Sequence, residues 1–112
     1  MTPYQIARVC HAANRAICQS FDDDSQKPWD EAEQWQRDSA VEGVNFRLLN
    51  PDASESAQHD AWMAAKVADG WKFGPTKNPD LKLHPCIVPF DLLPGFQKAK
   101  DAVFCAIVDA LK

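Results

Sequence analysis

The residues most capable of chemistry are concentrated between positions 59 and 84. Aromatic side chains, histidines and lysines alternate there: His59, Trp62, Lys66, Trp71, Phe73, Lys77, Lys82 and His84. An indole ring offers a flat face for stacking on a base or a cation, and a lysine ammonium offers a point charge for phosphate. The segment therefore predicts a site for a small anionic ligand. In it, the two tryptophans stack on a base, the lysines neutralise phosphate and the histidines donate hydrogen bonds.

The same tryptophans also fit a purely structural interpretation. Tryptophan is highly buried on average, so both tryptophans are also candidates for the core, which is the favoured position of Trp71 and an open alternative for Trp62. A single lysine in this segment is also accounted for by a solvated loop. Trp29 and Trp35 are predicted to be structural, closing the entry of the second helix.

Motifs for catalysis or for metal binding are missing from the sequence. There is no Gly-x-Ser-x-Gly nucleophile elbow, and the four glycines do not form a phosphate-binding loop. Cys10-His11 and His84-x-Cys86 lack the usual spacing of zinc ligands. We therefore predict a protein that is not an enzyme and that needs no metal or cofactor. A hydrolase using His84 or the acidic residues between 22 and 60 ranks behind a binding module.

The elements that must position these residues are mainly helical. Apolar residues recur at spacings of three and four along most of the chain, which is typical of amphipathic helices. Capping residues and breakers place the boundaries of four helices, which run from about Thr2 to Ser20, Asp30 to Asn50, Ser54 to Asp69 and Pro94 to Leu111. In the third helix, alanines are expected to form the packing face: Ala57, Ala61, Ala64, Ala65 and Ala68.

Residues 71–90 have a different pattern. Trp71 to Gly74 alternates with period two, Ile87-Val88 is β-branched, and Gly74-Pro75 and Asn78-Pro79 are turn signals. This pattern predicts two short strands in a hairpin with a basic connecting loop. The predicted fold is therefore a single mainly α domain over residues 1–112, an α+β fold with about four helices and a small β-hairpin.

The charge and the cysteines of the sequence limit which binding partners and which cellular compartment are expected for the protein. The 112 residues carry a formal net charge of −4, which disfavours duplex nucleic acid as a partner. The negative charge is concentrated in residues 20–61, whereas residues 62–89 hold four lysines against two aspartates. No apolar run approaches the length of a membrane span. Three of the four cysteines fall within predicted helices, so we predict reduced thiols and a cytoplasmic protein.

Four stretches of the sequence resemble the RyR domain, the repeat named after the ryanodine receptors. They are IARVCHAANR at 6–15, WDEAEQWQR at 29–37, WMAAKVADGWKFGP at 62–75 and KLHPCIVPF at 82–90. The resemblance spans about residues 5–111, and the N-terminal motifs are similar to those of the stand-alone prokaryotic and phage branch.

The resemblance implies a compact helical domain and a ligand. Receptor repeats occur in pairs whose clamp is associated with adenine-nucleotide binding through a stacking tryptophan, which corresponds to Trp62 here. His59 and Lys66 lie one turn to either side of it. Since the chain holds one repeat, a paired clamp predicts a homodimer. The alternative is a protein–protein interaction or structural module that binds no small ligand, using the alanine face of the third helix or the acidic 20–61 segment.

Overall fold

The computed structural model describes all residues, 1–112. The α+β fold class with four helices is confirmed, and none of the helices is both long and apolar enough to cross a membrane. The helices are α1 (Pro3–Ser20), α2 (Gln34–Leu49), α3 (Glu55–Ala68) and α4 (Gly95–Leu111), and the strands are β1 (Lys72–Phe73) and β2 (Leu83–His84). Short 3-10 turns lie at Trp29–Glu31, Pro79–Leu81 and Phe90–Leu92.

Local capping chemistry sets the ends of α1 and α3. The Thr2 hydroxyl accepts a hydrogen bond from the Gln5 backbone N–H at 3.2 Å, and the Gln5 side chain accepts one from the Thr2 N–H at 2.9 Å. This is the predicted capping box. Ser54 caps α3 by accepting from the Ala57 N–H at 3.1 Å. Gly70 follows α3 at φ +91, the left-handed conformation that favours glycine, as predicted.

The start of α2 differs from the prediction. The predicted helix began at Asp30, but a 3-10 turn occupies Trp29–Glu31 and α2 begins only at Gln34. Glu33, at the N-cap position of α2, makes no capping hydrogen bond with its side chain. Ala32 adopts an extended backbone at the end of the turn and so separates the two helical segments.

The hydrophobic core lies where α1, α2 and α4 meet. Ile6, Val44 and Val108 are fully buried there, one from each helix. Burial of a side chain of this size stabilises a fold by roughly 1.5–3 kcal/mol. Gly43 of α2 lets α4 come close, since a Cβ there would lie 3.0 Å from the ring of Phe104. The close packing predicted around Gly43 is therefore confirmed.

The two strands do not form the predicted hairpin. They pair in parallel, Lys72–Phe73 against Leu83–His84, and Ile87-Val88 lies outside the sheet. The chain reverses twice between the strands, because an antiparallel bridge joins Asn78 to Leu83 and Lys82 adopts the left-handed conformation at φ 54. Two reversals bring β2 alongside β1 in the same direction.

Helix α3 turns its polar face, rather than its alanines, toward the protein. The exposed residues of this helix include Ala64, Ala65 and Ala68. The buried ones are Gln58, His59 and Lys66. The expectation that the alanines form a packing face within the domain is therefore wrong for these three, whereas Ala57 and Ala61 are partly buried. Helix α3 thus buries an amide, a histidine and a lysine side chain.

Candidate functional site

A cavity of about 400 Å³ lies in front of the polar face of α3. All four helices and β2 contribute to its walls. Trp35 comes from α2, Trp62 and Lys66 from α3, His84 from β2 and Lys100 from α4. Aromatic rings and ammonium groups thus meet at one place, although they come from distant parts of the chain.

Five of the eight residues predicted for the site line this cavity. They are His59, Trp62, Lys66, Lys77 and His84. The structure therefore brings together one of the two predicted stacking tryptophans, two of the three predicted phosphate-binding lysines and both histidines.

The other three predicted residues lie outside the cavity lining. Trp71 is only 5% exposed and packs behind the wall, with its ring centroid 5.1 Å from that of Trp35. Phe73 is 55% exposed on β1. The ammonium of Lys82 turns to the end of α3, where it donates to the Asp69 carbonyl at 2.7 Å and lies 3.6 Å from the Asp69 carboxylate. Trp71 is therefore a core residue, in agreement with the structural interpretation that the sequence also allowed.

Lys66 is a largely buried residue whose ammonium has no counterion. The residue is 9% exposed, and its Nζ lies 5.0 Å from the ring centroid of Trp35 and 5.4 Å from that of Trp71. No carboxylate lies within salt-bridge distance, and no hydrogen bond reaches the ammonium. Burial lowers the pKa of Lys66, against the opposing effect of Glu42 and Asp69. Cation–π contacts stabilise such a charge only in part.

Two further lysines add to the positive charge of the cavity. The Nζ of Lys77 lies 5.6 Å from the Trp35 centroid, and desolvation together with Lys100 lowers the pKa of Lys77. Lys66, Lys77 and Lys100 all lack a salt-bridge partner, while two aspartates, Asp23 and Asp101, also line the cavity. The ammonium groups are therefore positioned to attract an anion.

His84 presents a hydrogen-bond donor with a fixed tautomer. Its Nδ1 accepts a hydrogen bond from the Cys86 backbone N–H at 3.0 Å, so the ring proton resides on Nε2. Burial and the neighbouring lysines lower the pKa of His84 to about 3. The ring stands edge-on to Trp62 with centroids 5.0 Å apart. His84 is thus a neutral N–H donor beside Trp62 at every physiological pH.

His59 supports Trp62. Its ring stacks on that of Trp62 with centroids 5.5 Å apart. Its Nε2 is hydrogen-bonded to the Val88 carbonyl at 2.8 Å, which assigns the ring proton to that nitrogen. Nδ1 lies 3.9 Å from an Asp101 carboxylate oxygen. The proton that was predicted to serve a ligand is thus used by the backbone, and the ring holds the indole in place.

Asp101, in the wall of the cavity, has a carboxyl group whose pKa is close to neutral pH. Burial raises the pKa of Asp101 to about 6, whereas His59 lowers it. Since the folded-state pKa lies above that of an unfolded aspartate, this group favours the fold below pH ~4 and loses that contribution as pH rises through 6. We expect Asp101→Asn to raise the free energy of unfolding at pH 7.5 by about 1–3 kcal/mol, with no difference near pH 4.

Denaturant unfolding at several pH values measures this effect. Asp109→Asn is the control of opposite sign, because Arg47 lowers the pKa of Asp109 and the aspartate therefore stabilises the fold at neutral pH. An Asp101→Asn protein that is less stable than the wild type at pH 7.5 would contradict the role assigned to burial.

The cavity residues that sequence reasoning missed include Trp35, Gln58 and Lys100. Trp35 was predicted to be structural, and nothing local distinguishes a tryptophan that faces a cavity from one in the core. Lys100 belongs to a helix far from the aromatic segment, and no spacing connects it to the site. Gln58 did carry a signal, because Gln58, Trp62 and Lys66 follow one another at intervals of four on the same helix.

The arrangement defines a class of protein: a small four-helix α+β domain with one aromatic, lysine-rich cavity fronting its third helix. The RyR domain family matches residues 48–112, more than half of the chain. The chain therefore belongs to the RyR domain family. The match includes α3, both strands, α4 and every residue predicted for the site, whereas α1, most of α2 and Trp35 precede it.

Proposed function

We propose that the domain binds a small anionic ligand, a nucleotide or a nucleotide-derived signal, in the cavity in front of α3. The observation that carries the proposal is the unpaired, 9% exposed Lys66 between Trp35 and Trp71. A partly desolvated charge without a counterion is costly to a fold, and an anionic ligand would supply the missing countercharge.

The parts of such a ligand correspond to the walls of the cavity. A base would stack on Trp62, and its phosphate would meet Lys66, Lys77 and Lys100. The Nε2–H of His84 would donate to an acceptor beside the ring. The volume of about 400 Å³ lies within the range of about 300–1,000 Å³ common for small-molecule sites. This assignment differs from the prediction from sequence in two respects. Lys100 takes the phosphate-binding role predicted for Lys82, and Trp71 packs against Trp35 outside the cavity instead of stacking on the base.

Binding without turnover remains part of the proposal. All three histidines that line the cavity have one ring nitrogen engaged by the backbone, His11 at Lys27, His59 at Val88 and His84 at Cys86. These contacts fix the rings, and they leave the Nε2–H of His84 available to donate a hydrogen bond. Incubating the protein with the nucleotides that it binds, and assaying for products, distinguishes a binding module from a hydrolase.

The stacking role of Trp62 gives the first test of binding. We expect Trp62→Ala to weaken nucleotide binding about ten- to a hundredfold, since a base stacked on an aromatic ring gains ~1–3 kcal/mol. Calorimetric titration with ATP, ADP-ribose and cyclic nucleotides measures the affinity. Trp62→Phe is the matched variant, because it keeps a ring and should retain most of the affinity. Titrations of the wild-type protein that give no heat with any of these ligands would contradict the proposal.

A protein–protein interaction module is the second candidate. It is favoured by the exposed face of α3, where Val67 is 54% exposed and alanines surround it. Small side chains allow close approach of another helix. The homodimer, like the cytoplasmic location and the prokaryotic or phage origin, stays a prediction. In this second candidate, replacing Trp62 would alter assembly rather than the affinity for a nucleotide.

A further inference from the structure

Gln58 presents a buried hydrogen-bond acceptor without a partner in the wall of the cavity. The residue is 5% exposed, and its Oε1 is the one buried side-chain nitrogen or oxygen in the protein that lacks a hydrogen bond. Its Nε2 donates to the Gly43 carbonyl of α2 at 2.9 Å. Turning the amide over would place two carbonyl oxygens against each other, so the orientation of the amide is fixed.

An unsatisfied buried acceptor is unusual in a folded protein. Most buried polar groups have a partner, and an exception calls for an explanation. Oε1 is closed to solvent, and Phe104 packs against the same stretch of α2 at Gly43. A donor reaches the oxygen only where the surrounding atoms move slightly apart as a ligand enters, which favours a slim group. An amino group on a ring has that shape.

The position of Gln58 relates it to the rest of the site. Gln58, Trp62 and Lys66 are spaced by four on α3 and all line the cavity. A helix rises 1.5 Å per residue, so Gln58 and Lys66 are separated by about 12 Å along its axis, with Trp62 between them. The face therefore presents an acceptor, an aromatic ring and a cation in that order.

We propose that Gln58 is a specificity-determining residue that selects ligands bearing a hydrogen-bond donor at the end opposite to their anionic group. Among nucleotides, this favours bases that carry an exocyclic amino group over bases that lack one. The inference rests on the proposed function, because it assigns the orientation in which a nucleotide occupies the cavity. The amino group approaches Gln58, the base stacks on Trp62 and the phosphate meets Lys66.

The test compares two nucleotides that differ by one group. Adenosine 5′-monophosphate and purine riboside 5′-monophosphate differ only in the exocyclic amino group, so their affinities isolate this one donor. We expect the wild-type protein to bind the amino compound about tenfold more tightly. Gln58→Met keeps the length of the side chain and removes the acceptor, so the ratio of the two affinities should fall to about one.

A second glutamine in the same cavity provides the matched control. Gln97 also lines the cavity but is only partly buried, so Gln97→Met should keep the discrimination of the wild type. Equal affinity of the wild-type protein for the two nucleotides, or discrimination that survives Gln58→Met, would overturn the role of Gln58 and leave the proposed function standing. Failure of both nucleotides to bind the wild-type protein would overturn the two together. The wild-type comparison changes only the ligand, so equal affinities would overturn the role of Gln58 even where Gln58→Met fails to fold.

Discussion

Replacing Lys66 with methionine is expected to weaken nucleotide binding by about ten- to a hundredfold while changing the free energy of unfolding by no more than about 1 kcal/mol. The loss of affinity follows because Lys66 has the lowest exposed fraction of the three cavity lysines and its ammonium has no countercharge. Methionine fills much of the same space between Trp35 and Trp71. It loses the cation–π contacts but also removes a desolvated charge, so these effects on the fold oppose each other.

Calorimetry and denaturant unfolding of the same protein samples measure both quantities. Lys82→Met is the matched control, because Lys82 was predicted for the site yet pairs with Asp69 on the surface. An exposed ion pair contributes up to about 1 kcal/mol, so this variant should change neither quantity strongly. If Lys66→Met bound nucleotide like the wild type, the cavity would not be the anion site. A loss of several kcal/mol in stability would make Lys66 a structural residue.

Local chemistry made much of the fold predictable from sequence. The capping box of Thr2 and Gln5 depends only on residues within one turn, and the left-handed Gly70 depends on its missing side chain. Helices that begin and end by such rules can be located from sequence alone. The parallel pairing of β1 and β2 could not be located in this way. It depends on a second chain reversal at Lys82, a residue type that seldom adopts a positive φ.

Helix spacing made only the α3 part of the candidate site predictable, whereas Lys77 and His84 were predicted from the aromatic and basic composition of the segment that follows α3. His59, Trp62 and Lys66 lie on α3, and their spacing places them on neighbouring turns whatever the rest of the fold does. Phe73 and Lys82 are close to them in sequence, but β1 and the turn before β2 carry these side chains away from the cavity. Trp35 and Lys100 reach it through the packing of α2 and α4, which no local pattern encodes.

The inward polar face of α3 connects the fold to the proposed function. A helix with this many alanines would bury them if core packing alone determined its orientation. Instead three of the five alanines are exposed, and the amide, histidine and lysine face a cavity, where their burial opposes folding unless partners satisfy them. The aromatic residues that support this arrangement must then contribute stability, which makes Trp71 the residue whose loss should matter most to the fold.

Trp71→Ala is expected to lower the free energy of unfolding by about 3–5 kcal/mol, the range for removing a large buried aromatic side chain. The indole is 5% exposed and contacts both Trp35 and His84, with centroids 5.1 and 6.2 Å apart. Urea unfolding measures the loss. Phe73→Ala, two residues along the chain but 55% exposed, should cost less than about 1 kcal/mol. Trp71→Phe should fall between them and, while folded, should bind nucleotide nearly as well as the wild type. If Trp71→Phe were as stable as the wild type but unable to bind nucleotide, Trp71 would be a ligand contact after all, and the wall behind Trp35 would have to open for a ligand to reach it.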